Sequence, residues 1–439
     1  MMTTPAPGGT STLTRHPLTE QQRTMLAFIG GRRDTYYLLS EAFRLTGPVD
    51  PARLRAALGL VLSRHQVLRS VFPQEGDHCA LVFDRSGLPT EASEAEAFEA
   101  ETFEQEAGFP SVAAAARAGL DRATRPMELD RGPLLRVWLG RVSPTESVLV
   151  VAGHHLVVDR WGFRLLYREL AHGYRDLAGL AASAAPPQYW PPTTGPDRGH
   201  PDRAELFGRD YRAVRALSRA ASTPRGPAGV HRKRFGGEPA RLLTTAAARL
   251  SVTPYLIGLA ALLGALSEVL GDPEVIVGTS FSGRTDSRSL RAMGYFSTSV
   301  FLGARLTVPP GPALVRELER QLADWRLSPR RQWEGLLAEH RAEDLFPVKF
   351  GLEPAEAAGP GPDLDGVVVE RIDEPVAEPA GTAPTARRPL DIDVEYDRDA
   401  LWIATTYRTD AVPPALVEDL TERFAEHLRR LATPPVGQP

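Results

Sequence analysis

The stretch that most constrains this chain runs from Val148 to Gly162. An apolar strand, Val148 to Ala152, ends on the adjacent histidines His154 and His155. Asp159 follows His155 by four residues, at the start of a helix in which Leu166, Leu170 and Tyr174 recur every fourth residue. In extended chain neighbouring side chains point to opposite faces, so only one of the two histidines can serve a given site. A zinc pair belongs at i, i+4 on a helix or i, i+2 on a strand, so no metal is expected here. Each residue also has a plain reading: a packed core histidine, Asp159 as an N-cap contributing ~1 kcal/mol, Trp161 as core.

The flanks show how this strand–helix unit is embedded. Residues 1–17 read as a flexible leader. Thr19 caps a helix that reaches about Gly30, with Gln22 three residues on. Asp50 and Pro51 open a second helix carrying Leu54, Leu58, Val61 and Leu62 on one face. Val67–Phe72 and Cys79–Phe83 read as paired strands turning through residues 74–77, and Leu134–Arg141 and Ser147–Val151 as another pair. Residues 91–107 are acidic and alanine-rich, and 111–123 read as a helix. The Pro/Gly-punctuated stretch 184–229 reads as the crossing between an N-terminal lobe, 18–183, and a C-terminal lobe, 230–439. In the second lobe, helices are expected at Ala240–Leu250, Pro254–Leu270, Leu314–Trp325 and Pro414–Leu431. Strands are expected at Val275–Gly278, Phe296–Leu302, Val367–Ile372, Asp391–Tyr396 and Leu401–Tyr407, and a mobile insertion at 353–389. Sheet and helix mix in each half without strict βαβ alternation, which indicates α+β layering.

Composition narrows the function classes. A length of 439 residues suits two domains, or one fold in two halves. With 51 basic against 55 acidic residues there is no cationic excess to hold nucleic acid. No window reaches the ~18 apolar residues of a membrane helix, and the start lacks the apolar core of a signal peptide, so a soluble, cytoplasmic protein is expected. The single cysteine, Cys79, lies in an apolar run and reads as a buried strand thiol. The basic run His231-Arg232-Lys233-Arg234 reads as a solvated loop, with docking of an acidic partner as its other reading. Arg330-Arg331 and Arg387-Arg388 carry the same two readings on weaker grounds.

His154-His155-Leu156-Val157-Val158-Asp159 resembles the HHxxxDG motif of the condensation domains of nonribosomal peptide synthetases and their acyltransferase relatives. Its neighbours match in the family's order. Leu18 to Arg23 resembles the opening S/T-x-x-Q-x-R segment, Arg64 to Phe72 the RHExLRTxF run, and Met127 to Arg136 the PFDLxxGPLLR run. Val277 to Ser280, Gly283-Arg284 and Gly294-Tyr295-Phe296 resemble the GxxxxGR…GxFVNT region. Together these override the plain readings above.

The resemblance implies an α+β fold of two chloramphenicol-acetyltransferase-like lobes in a V-shaped pseudo-dimer, with the motif midway along a tunnel. It implies a donor acyl thioester carried on the phosphopantetheine of a carrier protein supplied in trans, and an amine or hydroxyl acceptor, free or carrier-bound. It makes His155 the catalytic residue, as general base or by positioning the nucleophile. It makes His154 and Asp159 motif residues of structural duty, with Asp159 held by Arg284 from the other lobe. Arg160, Trp161, Gly162, Ser297, Thr298 and Ser299 are expected to line the tunnel. No bound cofactor, nucleic acid or membrane is implied, and the chain is expected to be free-standing.

Two departures stand out. The family's glycine after the aspartate is Arg160 here, with Gly162 two residues later, and the FVNT run becomes Phe296-Ser297-Thr298-Ser299. Arg160 is expected to lie along the first helical turn and reach solvent. The sequence therefore reads as a condensation enzyme forming an amide or ester. An acyl-CoA-dependent acyltransferase, an epimerase and a non-catalytic docking domain of the same fold are its alternatives.

Overall fold

The computed structural model describes residues 4–5, 12–29, 37–73, 79–83, 101–190, 211–220, 226–327, 347–355, 359, 361–372, 385–386 and 388–433. Strand Glu146–His154 is the pivot of the site-bearing half. Every residue from Ser147 to His154 is buried, because both faces of its sheet are covered. The sheet runs Val368–Arg371, Leu38–Thr46, Glu146–His154, Leu135–Ser143, Phe103–Ala107; only the last pair is parallel. Helix Val112–Ala123 covers one face, where Gly119 admits the Trp138 ring and Val150. Helix Arg160–Arg175 covers the other, placing Phe163 against Gly153 and the Tyr167 ring edge-on to Phe43 at 5.3 Å.

The chain forms two compact units. The first comprises the described residues within 1–195, 282–297 and 359–380; the second takes those within 196–281, 298–358 and 381–439. The unit boundary falls inside the expected 184–229 crossing, but a division in chain order is incomplete. Strand Val368–Arg371, expected in the C-terminal lobe, pairs with Leu38–Thr46 of the first unit. It gives hydrogen-bond partners to an edge that would otherwise be open, a requirement that chain order does not reveal.

The second unit holds a seven-stranded sheet, ordered Thr298–Arg305, Glu274–Phe281, Val348–Pro354, Leu390–Tyr396, Ala400–Arg408, Gly226–Gly236, Thr385–Ala386. Helices Gly237–Leu250, Pro254–Leu270, Pro312–Leu327 and Pro414–Ala432 accompany it, within a few residues of expectation. Pro254–Leu270 is buried from Leu256 to Leu266, as its unbroken apolar sequence requires.

Three local expectations need correction. Residues 12–17, expected in the leader, form strand Thr12–Pro17 against Cys79–Phe83. Residues 66–69 form a 3₁₀ turn instead of a strand, since Arg69 draws in the carbonyls of Leu62 and Ser63 at 2.6 Å each. The basic run His231–Arg234 lies in strand Gly226–Gly236 and is no loop: Lys233 pairs with Glu422 at 2.7 Å and Arg234 sits over Trp402. Residues 74–77, 91–100, Arg330, Arg331 and Arg387 lie outside the described residues. Among the described residues, no single helix is long and apolar enough to cross a membrane.

Candidate active site

The two motif histidines part at the end of strand Glu146–His154. His154 stays in register, its backbone amide bonded to the Leu134 carbonyl at 2.8 Å, and the residue is 3% exposed. Its Nδ1 accepts the Leu156 amide at 3.1 Å, which requires that nitrogen to be unprotonated. Burial, and then the neighbouring His155, pushes its pKa down to about 3. His154 is thus a neutral, packed residue. His155 begins the following turn with its amide on the Tyr37 carbonyl at 2.9 Å, and is half-buried. Its ring lies 5.5 Å from that of Tyr295, at an interplanar angle of 51°. The alternation expected from the sequence therefore holds in the environments of the two rings.

Asp159 caps helix Arg160–Arg175 and is 1% exposed. Its Oδ1 accepts the Gly162 amide at 2.7 Å and Arg284 Nη2 at 2.8 Å; its Oδ2 accepts Arg284 Nε at 3.3 Å and the Phe296 amide at 3.2 Å. Arg284 spends its remaining donors on the carbonyls of Ser289, Ala292 and Gly294. All five guanidinium N–H bonds are used, and the group lies over the Phe296 ring, 4.2 Å from its centroid. The expected Asp159–Arg284 pair forms, with one correction. Arg284 was expected from the opposite lobe, but residues 282–297 belong to the same compact unit as Asp159. The chain can turn there because Gly283 adopts φ +62°, where a Cβ would lie 2.0 Å from the Phe296 carbonyl oxygen.

The remaining expected site residues have mixed fates. Arg160 is exposed on the first helical turn, in line with the reading from sequence. Trp161 donates its indole N–H to the Leu290 carbonyl at 2.9 Å, and so clasps the 282–297 stretch. Gly162 is buried: a Cβ there would lie 2.7 Å from Val158 and 3.3 Å from Asp159 Oδ1, so its smallness serves the cap. Ser297, Thr298 and Ser299 are half-buried.

Sequence reasoning gave no site role to a second ring of contacts. Thr19 and Gln22 form the expected capping box, at 3.1 and 3.2 Å. The Gln22 side-chain amide also donates to the Leu156 carbonyl at 3.1 Å, one residue beyond His155. The Thr19 hydroxyl bonds to Tyr189 Oη at 2.8 Å, and Tyr189 donates to the Tyr295 carbonyl at 2.6 Å. Tyr189 lies in the Pro-rich crossing, where no periodicity marks a buried residue. The partners of Tyr295 lie 106 residues or more away in sequence.

A family model described as Condensation domain matches residues 13–189. Phosphinothricin tripeptide synthetase PhsB of Streptomyces viridochromogenes is 32% identical over 358 residues, 76% of this chain and 28% of that protein. The first condensation domain of the calcium-dependent antibiotic synthetase, solved with a substrate analogue, superposes with a TM-score of 0.66 at 21% identity, covering 97% of this chain and 98% of that one. The X-domain from teicoplanin biosynthesis gives 0.67 at 19% identity, covering 95% and 94%. The chain belongs to the condensation-domain family.

As a condensation domain it has the α+β fold of two chloramphenicol-acetyltransferase-like lobes. It spans little more than a quarter of the PhsB synthetase. Within the family's motif, the geometry divides the labour. His154, Asp159 and Gly162 are sealed into the scaffold, while His155 and Arg160 are the motif's accessible polar side chains.

Proposed function

We propose that this condensation domain joins an acyl group, delivered as a thioester on the phosphopantetheine of a carrier protein, to an amine or hydroxyl acceptor, forming an amide or ester. The observation that carries the reading is the contrast between the two histidines: His154 is locked neutral in the core, and the accessible His155 is left to take a proton. A thioester is already activated, so attack asks only for a nucleophile held in place and relieved of its proton. Neutral imidazole suits that task near pH 7. Holding both substrates end to end supplies more, since effective molarities reach ~10⁵ M or beyond. Asp159 and Arg284 act through the backbone, fixing the helix start and the 282–297 stretch around His155.

The test is direct. The protein is incubated with a phosphopantetheinylated carrier bearing an acyl group, or with acyl-CoA, and with amine and alcohol acceptors, and the product is read by mass. His155→Ala should fold as the parent does and lose ~10²-fold or more of single-turnover rate. Wild-type turnover in that variant would sink the assignment. Arg160 favours a second reading, a docking domain, because it replaces the motif's glycine with a long cationic side chain. The X-domain of teicoplanin biosynthesis, a neighbour of the same fold, is solved in complex with OxyB. Absence of product with every donor, together with capture of a partner enzyme that is lost in Arg160→Gly, would favour that reading.

A further inference from the structure

We infer that the Tyr295 hydroxyl is a second catalytic group beside His155, donating a hydrogen bond to the acyl oxygen as the thioester is attacked. The inference rests on the condensation reading above. The Tyr295 ring lies 5.5 Å from the His155 imidazole. It is held there at both ends of a closed path of contacts. From Tyr295 the path runs through its carbonyl to Tyr189, then to Thr19, to Gln22, and to the carbonyl of Leu156, which adjoins His155. Such a path fixes the backbone at Tyr295 and next to His155, and a donor to a developing charge needs its support held in place.

The hydroxyl itself is unused among the described residues. Among the described residues it takes part in no hydrogen bond, although Tyr295 is half-buried. Other tyrosines of this unit are engaged: Tyr167 donates to Glu41 at 2.6 Å, Tyr174 accepts the Asp50 amide at 2.9 Å, and Tyr189 bonds to Thr19. A phenol in such surroundings ordinarily finds a partner. Tyr295 instead has its ring beside the histidine, at an interplanar angle of 51°. Burial first, and then Tyr189, Tyr37 and Asp159, hold its pKa well above the usual tyrosine range. The group therefore keeps its proton at any pH where His155 is a base.

The step balances without a further reactant. The acceptor nitrogen or oxygen forms a bond to the thioester carbon, and its proton passes to His155. The carbonyl π pair moves onto oxygen, where the Tyr295 O–H bonds to it without giving up its proton. Collapse of that adduct breaks the C–S bond, and the departing sulfur takes the proton back from His155. An amide or ester and a free phosphopantetheine thiol result.

The experiment compares wild type, His155→Ala and Tyr295→Phe in single turnover on an acyl-loaded carrier, with the Tm of each. Tyr295→Phe should leave Tm unchanged, because the hydroxyl bonds nothing among the described residues. It should lower kcat by ~10²-fold with KM for the loaded carrier unchanged. A loss below tenfold, or one confined to KM, overturns the role of Tyr295 while leaving the condensation reading intact. If wild type itself turns over no donor, that reading fails, and binding of an N-acyl aminopantetheine, with an amide in place of the thioester, decides the role of the tyrosine. Fivefold or weaker binding by Tyr295→Phe supports the hydroxyl as the donor to the acyl oxygen; equal binding overturns it.

Discussion

Asp50 and Asp159 are the same local device placed in two different surroundings. Each is the N-cap of a long helix with extended backbone, and each accepts amides of the first turn through Oδ1. Asp50 is exposed and takes the amides of Ala52 and Arg53 at 2.8 and 3.2 Å, with Pro51 pre-set at the first helical position. Asp159 is 1% exposed and takes one amide of its own helix, Gly162; its other three bonds come from the Arg284 side chain and the Phe296 amide. Water can replace what Asp50 does. Nothing of comparable strength can reach Asp159, so the bonds that satisfy its charge must come from residues far along the chain. The lesson is that a cap's worth is set by what surrounds its second oxygen.

The largest expected effect breaks the comparison outright. Asp159→Ala leaves the Arg284 guanidinium buried without its carboxylate and should cost ~3–5 kcal/mol in denaturant unfolding. Asp159→Asn keeps an acceptor for the Gly162 amide but removes the charge, so it should still lose most of that amount. Were Asp159→Asn close to wild type, the ion pair would matter less than the cap.

How dry these surroundings are can be read separately from His154, five residues earlier. Its folded pKa is about 3, below the ordinary value of 6.5 that it regains on unfolding. The unfolded chain therefore binds a proton that the native protein refuses. Stability should fall as pH drops through 6.5 toward 3, by up to ~1.4 kcal/mol per pH unit from this group. His154→Asn, which can still accept the Leu156 amide, should flatten that part of the Tm-against-pH curve. An identical slope in the variant would mean that water reaches the ring.

The smallest effect belongs to the exposed cap. Asp50→Ala should cost ~1 kcal/mol and Asp50→Asn only a few tenths, since both residues cap well. A loss at Asp50 matching that at Asp159 would collapse the distinction between the two sites.

Much of this was legible in the sequence because it is short-range. Period and caps marked the helices Pro51–Arg64, Pro254–Leu270 and Pro414–Ala432 closely. Alternation along an apolar strand separated His154 from His155. The pairing of Asp159 with Arg284, far apart in the chain, was implied by the family resemblance and not by any local pattern. Other features were illegible for a common reason. Strand Thr12–Pro17 is so polar that only its partner Cys79–Phe83 makes it a strand. Gly162 was expected to line the tunnel and instead leaves space for Val158 and the Asp159 carboxylate.

The sequence by itself determined the helices, the strand that carries the histidines, and which residue types stand at its end, since all of these depend on neighbours within a few positions. Only the tertiary structure decided that residues 282–297 pack in the unit of Asp159, that strand Val368–Arg371 closes the edge of Leu38–Thr46, and that Tyr295 stands beside His155. Those pairings join residues more than a hundred positions apart. Their strength comes from excluding water around charges and backbone groups, and no local pattern reports how much water a distant segment will remove.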